Sequence, residues 1–121
     1  MCARSGSARI LIASADLPLS QSRKDVIERE GSWTATITRN KQHGLALLHN
    51  EEFDLLLLCT SLGAKTQAEY VDIFRRRNPA GKVIAVENRA PQEIPADAVL
   101  PAPVTPPELI AAIRDLLDSQ N

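Results

Sequence analysis

Short apolar runs alternate with amphipathic segments along this chain. The runs at 8–13, 53–59 and 82–86 (ARILIA, FDLLLLC and KVIAV) are nearly continuous, which is typical of strands buried on both faces. Residues 32–38 alternate apolar side chains with threonines, so we predict a half-buried strand nearer a sheet edge. A short run at 97–100 completes a set of five predicted strands.

Helical spacing of apolar residues marks the segments between and after the strands. The predicted helices are 19–30, 41–52, 64–77 and 106–118. In the first of them Leu19, Val26 and Ile27 are the apolar positions. The last helix is preceded by a capping box, from Thr105 to Glu108, with prolines in its first turn. Its apolar stripe consists of Leu109, Ile110, Ile113, Leu116 and Leu117.

Strands separated by helices of this length predict right-handed βαβ units and a parallel sheet covered on both faces. Five strands in a chain of this size favour a flavodoxin-like, doubly wound α/β fold with strand order 2-1-3-4-5. Leu11, Leu56, Leu58, Ile84 and Val86 are predicted to lie at its centre. Ligands of such folds bind beyond the carboxyl ends of strands 1 and 3, so those ends are where function is expected.

Composition limits the possible classes of protein. The chain has 121 residues, 44% of them hydrophobic, and a net charge of −1. We expect one domain over 1–121, with a folded core at 8–118 and flexible tails at 1–7 and 119–121. The charge balance argues against direct nucleic-acid binding, and no apolar run has the length of a membrane span. Cys2 and Cys59 are too few for a disulfide scaffold or zinc site, which favours a reducing cytoplasm.

The order of these pieces resembles the receiver domain of bacterial response regulators, the CheY-like phosphoacceptor module. The resemblance runs from about Arg9 to Leu117 and rests on RILIA, FDLLLLC, FRRRNPAGKVIAV and ADAVLPAPVTPPELIAAI. It implies a cytoplasmic domain of two-component signal transduction. In that family an acidic pair holds Mg²⁺, an Asp ending the third strand is phosphorylated, and a Thr or Ser, a Lys and an aromatic residue complete the site.

This sequence departs from the family pattern at each of those positions. The acidic pair falls on Ser14 and Ala15, with Asp16 the nearest carboxylate. Cys59 stands at the phosphoacceptor position, and the remaining positions are occupied by Glu87, Val99 and Ala102. We therefore expect no phosphoryl transfer, no enzymatic activity, and no metal or cofactor. A weak cation site between Asp16 and Glu87 is possible on chemical grounds, but solvated carboxylates explain these residues more simply. The resemblance also suggests a cis peptide bond before Pro103.

The connection between the fourth and fifth strands is unusually short for this family. Only residues 87–96 separate the two strands, so the helix that receivers carry there is expected to be short or absent. Its loss would uncover apolar surface on the fifth strand and last helix. We expect residues 87–104 and the exposed side of helix 106–118 to bind a protein partner or a second copy, with Ile94, Val99 and Pro101 on that surface.

The sequence therefore favours a non-phosphorylatable pseudo-receiver that acts as a protein-interaction module. Three alternatives stay open. The first is a receiver phosphorylated at an atypical site, and the second is a small redox protein using Cys59, for which the distant Cys2 gives poor support. The third is a regulatory domain cut from a larger enzyme or transcription regulator, since Ser119, Gln120 and Asn121 form a polar tail of the kind that precedes an output domain.

Overall fold

The computed structural model describes residues 8–14, 17–30, 33–38, 40–59, 63–87, 96–101 and 104–118. The predicted tails and most of the connection between the fourth and fifth strands lie outside these residues. The described elements are β1 (Ala8–Ala13), α1 (Leu17–Glu28), β2 (Trp33–Ile37), α2 (Lys41–Asn50), β3 (Leu55–Cys59), α3 (Ala64–Arg77), β4 (Lys82–Glu87), β5 (Ala98–Pro101) and α4 (Pro106–Asp118).

The five strands form one parallel sheet in the order β2-β1-β3-β4-β5. This confirms the predicted flavodoxin-like topology. Helices α1, α2 and α3 join the first four strands in order, and the four described helices cover both faces of the sheet. Helices α1 and α4 pack on one face through Ile27, Leu109 and Ile113. Helices α2 and α3 pack on the other face, where Leu48 and Phe74 are buried.

Alternation along the central strands divides the core into two layers. Leu11, Leu56 and Leu58 face α2 and α3, whereas Ile84 and Val86 face α1 and α4. All five side chains are buried, as the sequence predicts. Because the middle strands are apolar on both sides, only a sheet covered by helices on each face removes them from water.

The first helix differs from its prediction. It begins at Leu17 rather than at residue 19, with Pro18 in its first turn, where a missing N–H costs nothing. Of its three predicted apolar positions, Ile27 is fully buried whereas Leu19 is 37% exposed. The buried stripe instead carries Ser20, Arg23 and Ile27, spaced i, i+3 and i+7 along one helix face.

No helix among the described residues combines the length and apolarity needed to cross a membrane.

Candidate functional site

Four positions singled out in the sequence come together at the carboxyl-terminal edge of the sheet, where its parallel strands end. Ser14 follows β1, Cys59 ends β3, Glu87 ends β4 and Pro101 ends β5. The registers pair Ala13 with Leu58, Cys59 with Val86, and Glu87 with Pro101. These strand ends are therefore side by side. The edge includes the point between β1 and β3 where the strand order reverses, which is where ligands of such folds bind.

The two central positions of this edge carry small, uncharged side chains that are largely withdrawn from solvent. Ser14 is 4% exposed and Cys59 is 8% exposed. Cys59 continues the fully buried run from Leu55 to Leu58 and is held in register by β4. The described residues contain no group of three or more His, Cys, Asp or Glu side chains placed to hold a metal ion.

Five of the predicted site residues are not among those that the structure describes. Ala15, Asp16, Ile94, Ala102 and Pro103 lie outside the described residues. The cation site between Asp16 and Glu87, which the sequence made the less favoured interpretation, is therefore untested, and the cis bond before Pro103 stays a prediction.

Helix α3 starts at the same edge, just beyond Cys59. Its N-cap is Gly63, whose φ of +84° lies in the left-handed region that favours glycine. The Gly63 carbonyl accepts the first bond of the helix from the Gln67 amide at 3.1 Å. Gly63 thus supplies the backbone conformation from which α3 begins.

Sequence reasoning missed three buried polar residues in the helices that leave this edge. Ser20 and Gln67 are 0% exposed and Arg23 is 8% exposed. Within the described part of the chain, the Ser20 hydroxyl, the Gln67 amide group and Arg23 Nη1 have no hydrogen-bond partner. Ser20 and Arg23 share a helix face with the apolar Ile27, and this spacing could have indicated that they are buried. It did not, because serine and arginine are mostly exposed in proteins.

The fifth strand exposes one large apolar side chain. Val99 is 42% exposed, whereas its neighbours Ala98 and Leu100 are partly buried against the core layer of α1 and α4. Val99 pairs with Ala85, and β5 has its other long side without a strand in the described sheet. Val99 is thus exposed to solvent, and its place on a partner surface stays a prediction.

Comparison with solved structures identifies the family. A CheY-like response regulator receiver domain protein from Methanospirillum hungatei JF-1 is 31% identical, covers 93% of this chain and 95% of its own, and superimposes with a TM-score of 0.82. The chain belongs to the response-regulator receiver family. No family model and no curated protein sequence matched the chain.

Two further receiver structures share the fold of this receiver domain. The receiver domain of the Francisella response regulator 1452 is 20% identical with a TM-score of 0.79, and covers 94% of this chain and 99% of its own. A receiver domain protein from Clostridium thermocellum is 18% identical with a TM-score of 0.79, and covers 93% of this chain and 96% of its own. The receiver-type topology therefore persists although the edge of this domain carries Ser14 and Cys59.

Proposed function

We propose that this receiver domain does not accept a phosphoryl group and acts in signal transduction as a protein-interaction module. The observation that carries the proposal is the buried Cys59 at the end of β3, beside Ser14 at the end of β1. The family resemblance assigns these two positions to the phosphoacceptor and to one member of the metal-binding acidic pair. The domain would then signal by binding, without catalysis or a cofactor, in the cytoplasm.

The chemistry of the family site explains why these replacements matter. Transfer to an Asp needs an anionic oxygen nucleophile and a hard cation that neutralises the phosphoryl oxygens. A Ser hydroxyl is a poorer Mg²⁺ ligand than a carboxylate, and a thiol cannot form an aspartyl phosphate. Ala102 also lacks the cation that the family supplies with Lys. Several independent contributions to transition-state stabilisation are thus absent from the sequence.

Incubation with acetyl phosphate and Mg²⁺, followed by intact-mass measurement, tests the loss of phosphorylation. We expect no mass increase of one phosphoryl group, and no binding of beryllofluoride. The Methanospirillum receiver domain protein, treated in parallel, is the family control. The variant Cys59→Asp should also stay unmodified, because Ser14 and Ala15 still lack carboxylates. A phosphoryl adduct on the unmodified sequence would overturn the proposal and favour the atypical-receiver alternative.

The proposed interaction surface comprises residues 87–104 and the exposed side of α4. Val99 supports it because a 42% exposed valine on an edge strand presents apolar area to solvent. On the side of the sheet that α1 and α4 cover, Leu100, Val104 and Ile110 are only partly buried against the core. Exposed apolar groups mark sites that bind a protein or a membrane surface rather than a nucleic acid, and we propose that this one binds a protein partner or a second copy of the chain.

Single substitutions test this surface. We expect Val99→Asp and Ile94→Asp to lower the mass found by light scattering or to abolish capture of a bound partner protein. Leu19→Asp is the matched control, because Leu19 has a similar exposure of 37% but lies on α1. If both surface variants keep their circular dichroism spectra and behave like the Leu19→Asp control, the proposed surface is wrong.

A further inference from the structure

Strand β2 forms one edge of the described sheet and has β1 as its neighbour there. The Thr38 amide, just past β2, donates to the Ile12 carbonyl on β1 at 3.1 Å. In a parallel pair, residues along a strand alternate in the side to which their backbone groups point. The backbone N–H and C=O groups of Thr34 and Thr36 therefore point toward β1. Those of Ala35, at the middle of the strand, point away from the sheet.

Two side chains of α1 occupy both outward backbone groups of Ala35. The Ala35 amide donates to Glu28 Oε2 at 3.1 Å, and Lys24 Nζ donates to the Ala35 carbonyl at 3.0 Å. Lys24 and Glu28 also bond to each other at 2.9 Å, one helical turn apart. We call this arrangement the β2 clasp. It fills the positions that the backbone of an added strand would use.

The sequence of β2 shows why an edge here would otherwise pair. Its residues, WTATI, are uncharged, contain no proline and are rich in β-branched and aromatic side chains. Exposed edges of this composition are templates for strand addition, and natural proteins protect them with charged side chains. Thr34, which is exposed, adds no charge of its own to the edge.

We propose that Lys24 and Glu28 close the β2 edge against strand addition by a second copy of this chain. A second copy is the occupant because the same uncharged strand lies on each molecule, and two copies related by a two-fold axis pair β2 with β2, which leaves neither β2 edge open. An added strand lies about 4.8 Å from its neighbour. The Lys24 ammonium and the Glu28 carboxylate must therefore leave the backbone of Ala35 before such a strand can hydrogen-bond to it.

Removal of the clasp tests this inference on the full chain. We compare Lys24→Ala/Glu28→Ala with the control Asp72→Ala/Arg76→Ala, which removes an i,i+4 ion pair of the same type from the mostly solvent-exposed surface of α3. Alanine preserves helix propensity in both variants. We expect the clasp variant to have twice the mass of the control by light scattering, with slowed hydrogen exchange at the amides of 33–37.

Two results would overturn the inference. One is a clasp variant with a native circular dichroism spectrum and the mass of the control. The other is a larger mass without slowed exchange at 33–37, because association would then occur elsewhere. If the double variant does not fold, Glu28→Ala alone is judged by the same two measurements. The proposed partner surface lies at the opposite edge of the sheet. In a Val99→Asp background, the clasp variant should therefore still have twice the mass of its control.

Discussion

Thr105 and Glu108 bond to each other in both directions across the first turn of α4. The Thr105 amide donates to Glu108 Oε1 at 3.0 Å, and the Glu108 amide donates to Thr105 Oγ1 at 3.3 Å. The Thr105 hydroxyl also bonds to Glu108 Oε1 at 3.0 Å. This is the capping box that the sequence predicts. It satisfies donors that would otherwise be left at the start of the helix that buries Leu109 and Ile113.

Loss of the cap should destabilise the domain measurably. We expect Thr105→Ala to lower the free energy of unfolding by about 1 kcal/mol, the usual cost of removing a side-chain N-cap. Thr105→Ser keeps the hydroxyl and should retain most of the stability. Urea unfolding followed by circular dichroism measures both variants. Equal midpoints for the alanine and serine variants would contradict a capping role.

The same cap predicts a pH dependence. The bonds from the Thr105 amide and hydroxyl lower the pKa of Glu108 below its ordinary value of 4.5. A carboxyl group with a lowered folded-state pKa stabilises the fold fully above its unfolded pKa, and this stability is lost as pH falls through the folded value. We expect Glu108→Gln to reduce the loss of stability below pH 4.5, in urea titrations at several pH values.

The Thr105→Ala background provides the control for this pH effect. Without the Thr105 hydroxyl, Glu108→Gln should change the acid response less than it does in the unmodified chain. An equal change in both backgrounds would mean that the hydroxyl does not contribute to the shift.

Local sequence signals were sufficient where one pattern determines one structure. The apolar runs could be buried only in a sheet covered on both faces, so the topology followed from their order. The boundaries of α3, 64–77, were also predicted correctly. The apolar face of α1 was predicted only in part, at Ile27, because the few apolar residues of this helix form a weak stripe. Packing against β2 and α4 then decides that Ser20 and Arg23 are buried and Leu19 is exposed.

For the candidate site, the sequence could predict which residues lie next to each other at the ends of the strands. Ser14 and Cys59 are neighbours because parallel strands bring their carboxyl ends to one edge, which the order of elements already implies. The β2 clasp could not be foreseen in the same way. It depends on the register that turns the backbone of Ala35 outward and on the reach of Lys24 and Glu28 around the edge.

The burial of Arg23 gives a prediction with an unusual sign. Its side chain is 8% exposed, and Nη1 is without a hydrogen-bond partner in the described part of the chain. A buried polar group left unsatisfied costs about 1–3 kcal/mol. We expect Arg23→Met, which keeps the length and helix propensity, to leave stability unchanged or to raise it by about 1 kcal/mol. A fall in the urea midpoint equivalent to more than about 1 kcal/mol would show that the guanidinium stabilises the fold.

The contact between α2 and α3 depends on the absence of a side chain at Gly44. A Cβ built there would be closest to the Tyr70 hydroxyl and would lie 2.6 Å from Tyr70 Cε1. Tyr70 is fully buried, and this burial raises the pKa of its hydroxyl. Its ring therefore has no exposed side to which it can move.

Two opposing effects decide what Gly44→Ala does. Alanine in a helix gains about 1 kcal/mol over glycine, whereas overpacking a core costs about 1–3 kcal/mol. We expect net destabilisation by Gly44→Ala in the unmodified chain. In a Tyr70→Leu background the ring is gone, so the same change should raise stability by up to about 1 kcal/mol. Urea unfolding of the four proteins gives the coupling energy, and equal effects of Gly44→Ala in both backgrounds would show that the Tyr70 ring is not what excludes a side chain at this position.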